Sequence, residues 1–396
     1  MNNTSSGKFP EALLIASAEK RMRYFADCLV HHRNLDETVN TVMRYIESPE
    51  SENLIVVCGP SGVGKKEFIR EITSKLGQAE DYSTINIGNI PVVNVEARAP
   101  EEGSFKFSSL WMDALKIMNE PMLNQKISYR DVEKEGENGQ KTIVSRIIKA
   151  DYQYILHSAF GHRHVKAFII NEAQHMCRVA TDKKANWSLD VIKSLANESE
   201  TAVVLVGTYD LLNIINASAN FVDQIHQRAH IIDFARYHEY DPEEVQYFGK
   251  TAKKLINNMP FKEIDDRFAD KNWRYLYMYS LGRIGTLKRW FLRAYSYAIE
   301  QQAKSLTKDH LDKTRNSGNQ IKFELKAIED GEAIMANIRS DGDIRSSFKF
   351  YDRIDNKEQQ KAPASRRSKP FERKPARDVA NDGLENAIAK GGESVS

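Results

Sequence analysis

Cysteine is scarce in this chain: only Cys28, Cys58 and Cys177 occur among 396 residues. They are widely spaced and odd in number, which excludes a zinc-type ligand spacing and argues against a disulfide framework. A reducing compartment follows. Long apolar runs are absent as well. No window approaches a membrane span, and the opening stretch MNNTSSGKFPEALLIASAEK has too short an apolar run for a secretory signal. A cytoplasmic protein without a membrane partner is therefore expected. Net charge is almost missing: 57 Lys and Arg face 55 Asp and Glu, leaving +2, so any basic surface must be local. What is there in quantity, 41% hydrophobic and 28% charged residues, suits a globular protein. The length exceeds one compact domain, so a core with appendages is expected.

Residues 1–50 read as a polar start followed by helix, with Val39, Val42, Met43 and Ile46 on one face of DETVNTVMRYIES. Five short, often β-branched apolar runs follow: LIVVC from Leu54, PVVNVEA at 91–97, KAFIIN at 166–171, TAVVLVG at 201–207 and HIIDF at 230–234. Near-continuous apolar runs are what strands buried on both faces of a parallel sheet require. Helical patterns lie between them, such as SLDVIKSLANE with Leu189, Ile192, Leu195 and Ala196 at helical spacing. The pattern predicts a doubly wound α/β core over 51–238, a small helical domain over 239–325, and an extension with a tail over 326–396. Between Lys361 and Arg377 there are seven Lys or Arg, three Pro and one Glu. That composition buries too little surface to offset its ordering entropy, which predicts a disordered basic tail.

The first run continues as CGPSGVGKKEFIREI. Strand, glycine-rich turn and lysine entering a helix are the context a phosphate-binding loop demands. Gly59, Pro60, Ser61, Gly62, Val63 and Gly64 form the turn, whose backbone N–H groups would face phosphates, and Lys65 would reach the terminal ones. The hydroxyl that normally follows the lysine to hold magnesium is missing; Lys66 stands there. It either offsets phosphate charge or faces solvent at the first helical turn. A second absence matches it. In AFIINEAQHM the Asp of the usual acidic pair is Asn171, leaving Glu172 as the candidate general base. Both magnesium-side positions have changed together, and no metal ligand set is assigned. Thr208, just past AVVLVG, either senses the terminal phosphate or caps a turn. Arg228, at the edge before the last strand, either stabilises transferred charge at a neighbour's phosphate or is a surface arginine.

These residues together resemble the TniB/TnsC family of AAA+ transposition regulators over about residues 15–310. The resemblance rests on PVVNVEARAPEEGSFKFSSLWMDALKIMNEP, on NEAQHM followed by VIKSLANESETAVVLVGT, and on SLGRIGTLKRWFLRAYSYAI. It implies an AAA+ P-loop core with a parallel sheet, a C-terminal helical lid, and an ATP-dependent homo-oligomer, ring or filament, on duplex DNA. That assembly would link a target selector of the TniQ type to transposase subunits. Lys65, Glu172, Thr208 and Arg228 match the family's phosphate lysine, catalytic glutamate, first sensor and trans-acting arginine. Lys66 and Asn171 depart from it, which implies ATP binding with weak magnesium dependence and slow turnover. Gly285 stands where many AAA+ proteins carry a second-sensor arginine, as in the family's own pattern, and Arg289 lies one turn later. DNA contacts would come from the loop and helix after the second strand, where Arg98, Lys106 and Lys116 are the candidates; each is otherwise a solvated surface charge. Two other readings compete: a nucleotide-locked scaffold with little hydrolysis, and a secretion-type P-loop ATPase.

Overall fold

The structure is a computed structural model that describes residues 8–48, 54–78, 88–100, 105–121, 123, 127–135, 141–149, 152–177, 191–192, 194–196, 201–212 and 229–339. The N-terminal helices α1 (Ala18–Asp27) and α2 (Arg33–Glu47) precede the first strand. Ser17 caps α1 by accepting from the Lys20 backbone N–H, and α2 buries Leu35, Val39 and Val42 on one face. Then come β1 (Leu54–Cys58), α3 (Lys65–Gln78), β2 (Val92–Glu96) and α4 (Phe107–Ile117).

A hairpin that periodicity did not announce follows, β3 (Ile127–Glu135) with β4 (Lys141–Lys149), paired antiparallel with Arg130 opposite Arg146. After α5 (Tyr152–His162) the sheet resumes with β5 (Ala167–Asn171), the short α6 (Gln174–Cys177), β6 (Ala202–Gly207) and β7 (Ala229–Asp233). The five-stranded sheet runs in the order β2-β5-β6-β1-β7, and every pairing in it is parallel.

Residues of β1, β5 and β6 are buried along their whole length, as strands covered on both faces must be. Alternation divides them between two cores. Leu54, Val56, Phe168, Ile170, Val203 and Leu205 pack with α4 and α5, whereas Ile55, Val57, Ile169 and Val204 pack with α2 and α3.

The helices beyond the sheet are α7 (Pro242–Asn257), α8 (Phe268–Ser280), α9 (Ile284–Glu300), α10 (Lys308–Thr314) and α11 (Gly318–Arg339). Asp241 accepts from the Glu243 N–H at 2.8 Å and Pro242 occupies the first turn of α7, a start signal written in the sequence. A third core joins α7, α8 and α9 around Phe248, Trp290, Phe291 and Tyr295, and Phe25 of α1 belongs to it. The expected break at 325/326 falls inside α11. That helix continues because Met335 enters the sheet's core and Arg236 bonds Glu332 through both Nε (2.7 Å) and NH2 (3.1 Å). The tail at 361–377 lies outside the described residues.

Candidate nucleotide site

The carboxyl ends of β1, β5 and β6 meet the loop 59–64, the position where open α/β sheets place ligands. The turn is built on Gly62 (φ +84°) and Gly64 (φ +129°), conformations that side chains beyond glycine rarely adopt. Lys65 opens α3 and is only 8% exposed. Its Nζ donates to the carbonyls of Gly59 (2.8 Å) and Pro60 (3.1 Å). Burial pushes its ammonium down to about 8, against the opposing pull of Glu172. Lys66 is exposed beside it.

At the end of β5, Asn171 is buried, and its Oδ1 has no hydrogen-bond partner among the described residues. Glu172 follows in the left-handed region at φ +53°. The Thr208 Oγ1 is likewise buried without a partner. A cavity of about 300 Å³ is lined by Ser61, Gly62, Gly64, Lys65, Lys66, Glu172 and Thr208 from the sheet side. Gly285, Lys288 and Arg289 line it from α9. The structure thus brings Lys65, Lys66, Glu172 and Thr208 together. Gly59, Pro60, Val63 and Asn171 are not among its lining residues, though Gly59 and Pro60 hold the Lys65 ammonium, and Arg228 lies outside the described residues.

The seat of α9 on the loop went unnoticed in the sequence. The Thr286 N–H donates to the Gly62 carbonyl at 2.9 Å. A Cβ on Gly285 would lie 2.7 Å from that same oxygen, so glycine is what permits the approach. Arg283, 3% exposed, donates to the carbonyls of Ser61 (2.9 Å) and Ser280 (3.1 Å) and pairs with Glu324 of α11. Lys288 donates to the carbonyls of Ala26 and Cys28, both at 2.8 Å, and faces Glu67 at 3.7 Å. Arg283 and Lys288 both sit in the SLGRIGTLKRW block, the first just before α9 and the second within it, and nothing in the sequence marks either charge for burial.

The protein offers magnesium few ligands around the loop. Two carboxylates line the cavity, Glu172 and Glu67; Glu172 already accepts from the Gln174 amide at 2.6 Å, and Glu67 faces the Lys288 ammonium at 3.7 Å. Asn171 brings a neutral oxygen, and an ammonium, Lys66, stands where the hydroxyl ligand would be. Magnesium at such a site would be held chiefly by waters and substrate phosphates. Among the described residues, no cluster of three His, Cys, Asp or Glu suited to a metal occurs.

The DNA candidates occupy a different place. Arg98 and Lys106 line a second cleft of about 190 Å³ with Glu96, Pro100, Phe105 and Asp113. Arg98 is paired there with Asp113 at 2.8 Å, with its side chain still largely exposed. Lys106 is exposed at the start of α4, between Phe105 and Phe107, whose rings pack edge to face at 5.0 Å. Lys116 is exposed in the last turn of α4, away from that cleft.

Sheet order and loop are those of an α/β P-loop fold with a helical lid seated on the loop, and residues 47–215 match the family model of the AAA domain. The fold is similar to that of the Aeropyrum pernix ORC2 protein in its ADPNP-ADP complexes, at 10% identity over 74% of this chain and 72% of that one, TM-score 0.47. It is also similar to Drosophila ORC bound to DNA, at 12% identity over 79% and 67% of the two chains, TM-score 0.44. The Thermotoga maritima RuvB Holliday junction branch migration motor aligns at 14% identity over 71% and 67%, TM-score 0.39. No curated protein matches the chain. Among the described residues, no helix is long and apolar enough to cross a membrane.

Proposed function

We propose that this chain is an ATP-binding, DNA-associated regulator of transposition of the TniB/TnsC type. What supports the reading is one convergence. The segments that carry the family resemblance, Asn171–Gln174, Gly207–Thr208 and Gly282–Thr286, all meet at the phosphate loop. In this reading Lys65 and the loop amides hold the triphosphate, Glu172 polarises the attacking water and Thr208 reads the terminal phosphate. Arg228 completes the site of the next subunit. Arg98, Lys106 and Lys116 contribute phosphate contacts to duplex DNA, each small and summed over many subunits. The tail tethers the transposase, and a TniQ-type selector fixes the target.

A specific observation favours a second reading, a scaffold locked by ATP: Asn171 and Lys66 take the two magnesium-side positions. Phosphate release with and without duplex DNA, compared between wild type and Lys66→Thr/Asn171→Asp, separates the two. The regulator reading expects slow wild-type release that responds to DNA, and release at least about tenfold faster in the double variant, a difference of ~1.4 kcal/mol in barrier. No release from either protein leaves the scaffold. Release indifferent to DNA removes the DNA-linked regulator.

A further inference from the structure

Gln174 lies in the NEAQHM motif without an assigned role, yet it is the side chain that joins the two halves of the site. It is 3% exposed and opens α6, two residues after Glu172. Its Nε2 donates to the Glu172 Oε2 at 2.6 Å, and its Oε1 accepts from the Thr208 backbone N–H at 3.2 Å. The chemistry of the neighbours fixes the amide's orientation. A carboxylate only accepts and a backbone N–H only donates, so the NH2 must face Glu172 and the oxygen must face β6. No other side chain of this length serves both. A glutamate would set carboxylate against carboxylate, and a leucine would leave a buried donor without its partner.

The strand leaves room for the bridge. A Cβ on Gly207 would lie 2.8 Å from the Gln174 Oε1, with its next neighbour, Leu211 Cδ2, at 3.4 Å. Gly207 is not among the residues with positive φ, so its backbone suits alanine. Its service is space for the amide. Beyond the bridge, Glu172 and Thr208 both line the phosphate cavity.

We propose that Gln174 is a positioning residue that locks the Glu172 carboxylate to the end of β6, so that general base and phosphate sensor move as one unit. The inference rests on the ATPase reading given above. Any displacement of β6 by a terminal phosphate is then passed to Glu172 through two hydrogen bonds, and the carboxylate has no independent setting. Misplacing a catalytic group by about 1 Å costs on the order of a hundredfold in rate.

The test is a steady-state and binding study of the full-length chain carrying Gln174→Leu, Gly207→Ala, Glu172→Gln, and the Gln174→Leu/Glu172→Gln pair. Gln174→Leu is expected to lower kcat about ten- to a hundredfold while ATP affinity stays within about twofold, because the bridge bonds neither Lys65 nor the loop amides, which hold the triphosphate in the proposed reading. Gly207→Ala leaves Gln174 in the chain and displaces only its amide, so it should lower kcat in the same direction even if Gln174→Leu folds poorly. In the Glu172→Gln background, Gln174→Leu should add nothing further, since residues acting as one unit are non-additive. A drop in ATP affinity matching the drop in kcat, full additivity with Glu172→Gln, or unchanged or faster turnover in Gly207→Ala would overturn the role. So would a wild type that binds ATP and never turns it over. A wild type that binds no ATP defeats the ATPase reading itself, a distinct outcome.

Discussion

At the residue scale the lysine of the loop is the most exposed to a quantitative check. Lys65 is held between the carbonyls of Gly59 and Pro60, and burial lowers its pKa from 10.5 to about 8. The sign follows from proton counting. Below about 8 the amine is protonated in both folded and unfolded chains; between about 8 and 10.5 only the unfolded chain keeps the proton, so folding stability rises with pH across that window. Phosphate binding has the opposite sign, because the triphosphate selects the charged amine. ATP affinity should therefore be flat below about pH 8 and fall about tenfold per unit above it, with uptake of a proton on binding near pH 8.5. Titration calorimetry in buffers of different ionisation heat measures both. Lys65→Ala should remove the binding and its pH dependence together. An affinity that holds steady to pH 9.5 would show that Lys65 does not contact phosphate.

At the element scale, α11 carries the structure past the point where composition alone would end it. Gly331 lies against Tyr209, close enough that a Cβ would strike the ring, and Met335 is buried in the sheet's core. Arg236 and His238 both pair with Glu332. Burial alone would raise Glu332, but hydrogen bonds from His238 and Arg236 hold it at about 2, and the bond to Glu332 raises His238 above its usual 6.5. The His238 contribution is thus present below 6.5 and lost as pH rises through its raised value. That of Glu332 is present above its usual range and lost as pH falls through about 2. Ending the chain after Leu325 removes Met335 and strands a buried guanidinium. It should destabilise by at least about 3 kcal/mol in chemical or thermal unfolding, whereas ending it after Arg339 should leave the transition unchanged. Equal stability of the two truncations would make α11 an ornament. The five strands were legible because burial on both faces writes an unbroken apolar run. The hairpin was not, since ISYRDVEKE is crowded with charges and KTIVSRIIK sets its apolar residues in adjacent pairs, so neither alternates cleanly. Nor was α11, whose anchors Gly331, Glu332 and Met335 are recognisable only once their partners Tyr209, Arg236 and the sheet are in place. The loop lysine and Glu172 could be read from motif context; Gln174, Arg283 and Lys288 could not, because each acts through a contact distant in sequence or invisible in composition.

At the scale of the whole molecule, the account makes nucleotide occupancy and assembly a single equilibrium. The lid touches the loop through Thr286, Gly285 and Arg283, so a nucleotide held between them fixes lid and core in one relation. In the proposed reading, a subunit junction completed by Arg228 would form only in the occupied state, which would link binding to oligomerisation by mass action. Many subunits along one duplex would turn weak lysine contacts into an avid grip that is independent of sequence and steeply weakened by salt. The measurement that tests this most directly is negative-stain imaging of the full-length chain with duplex DNA and a non-hydrolysable ATP analogue, wild type beside Arg228→Ala. The account predicts rings or filaments on DNA for wild type, dispersed by omission of nucleotide or by raised salt, and folded, nucleotide-binding but unassembled protein for Arg228→Ala. A wild type that stays monomeric with both ligands present would contradict it.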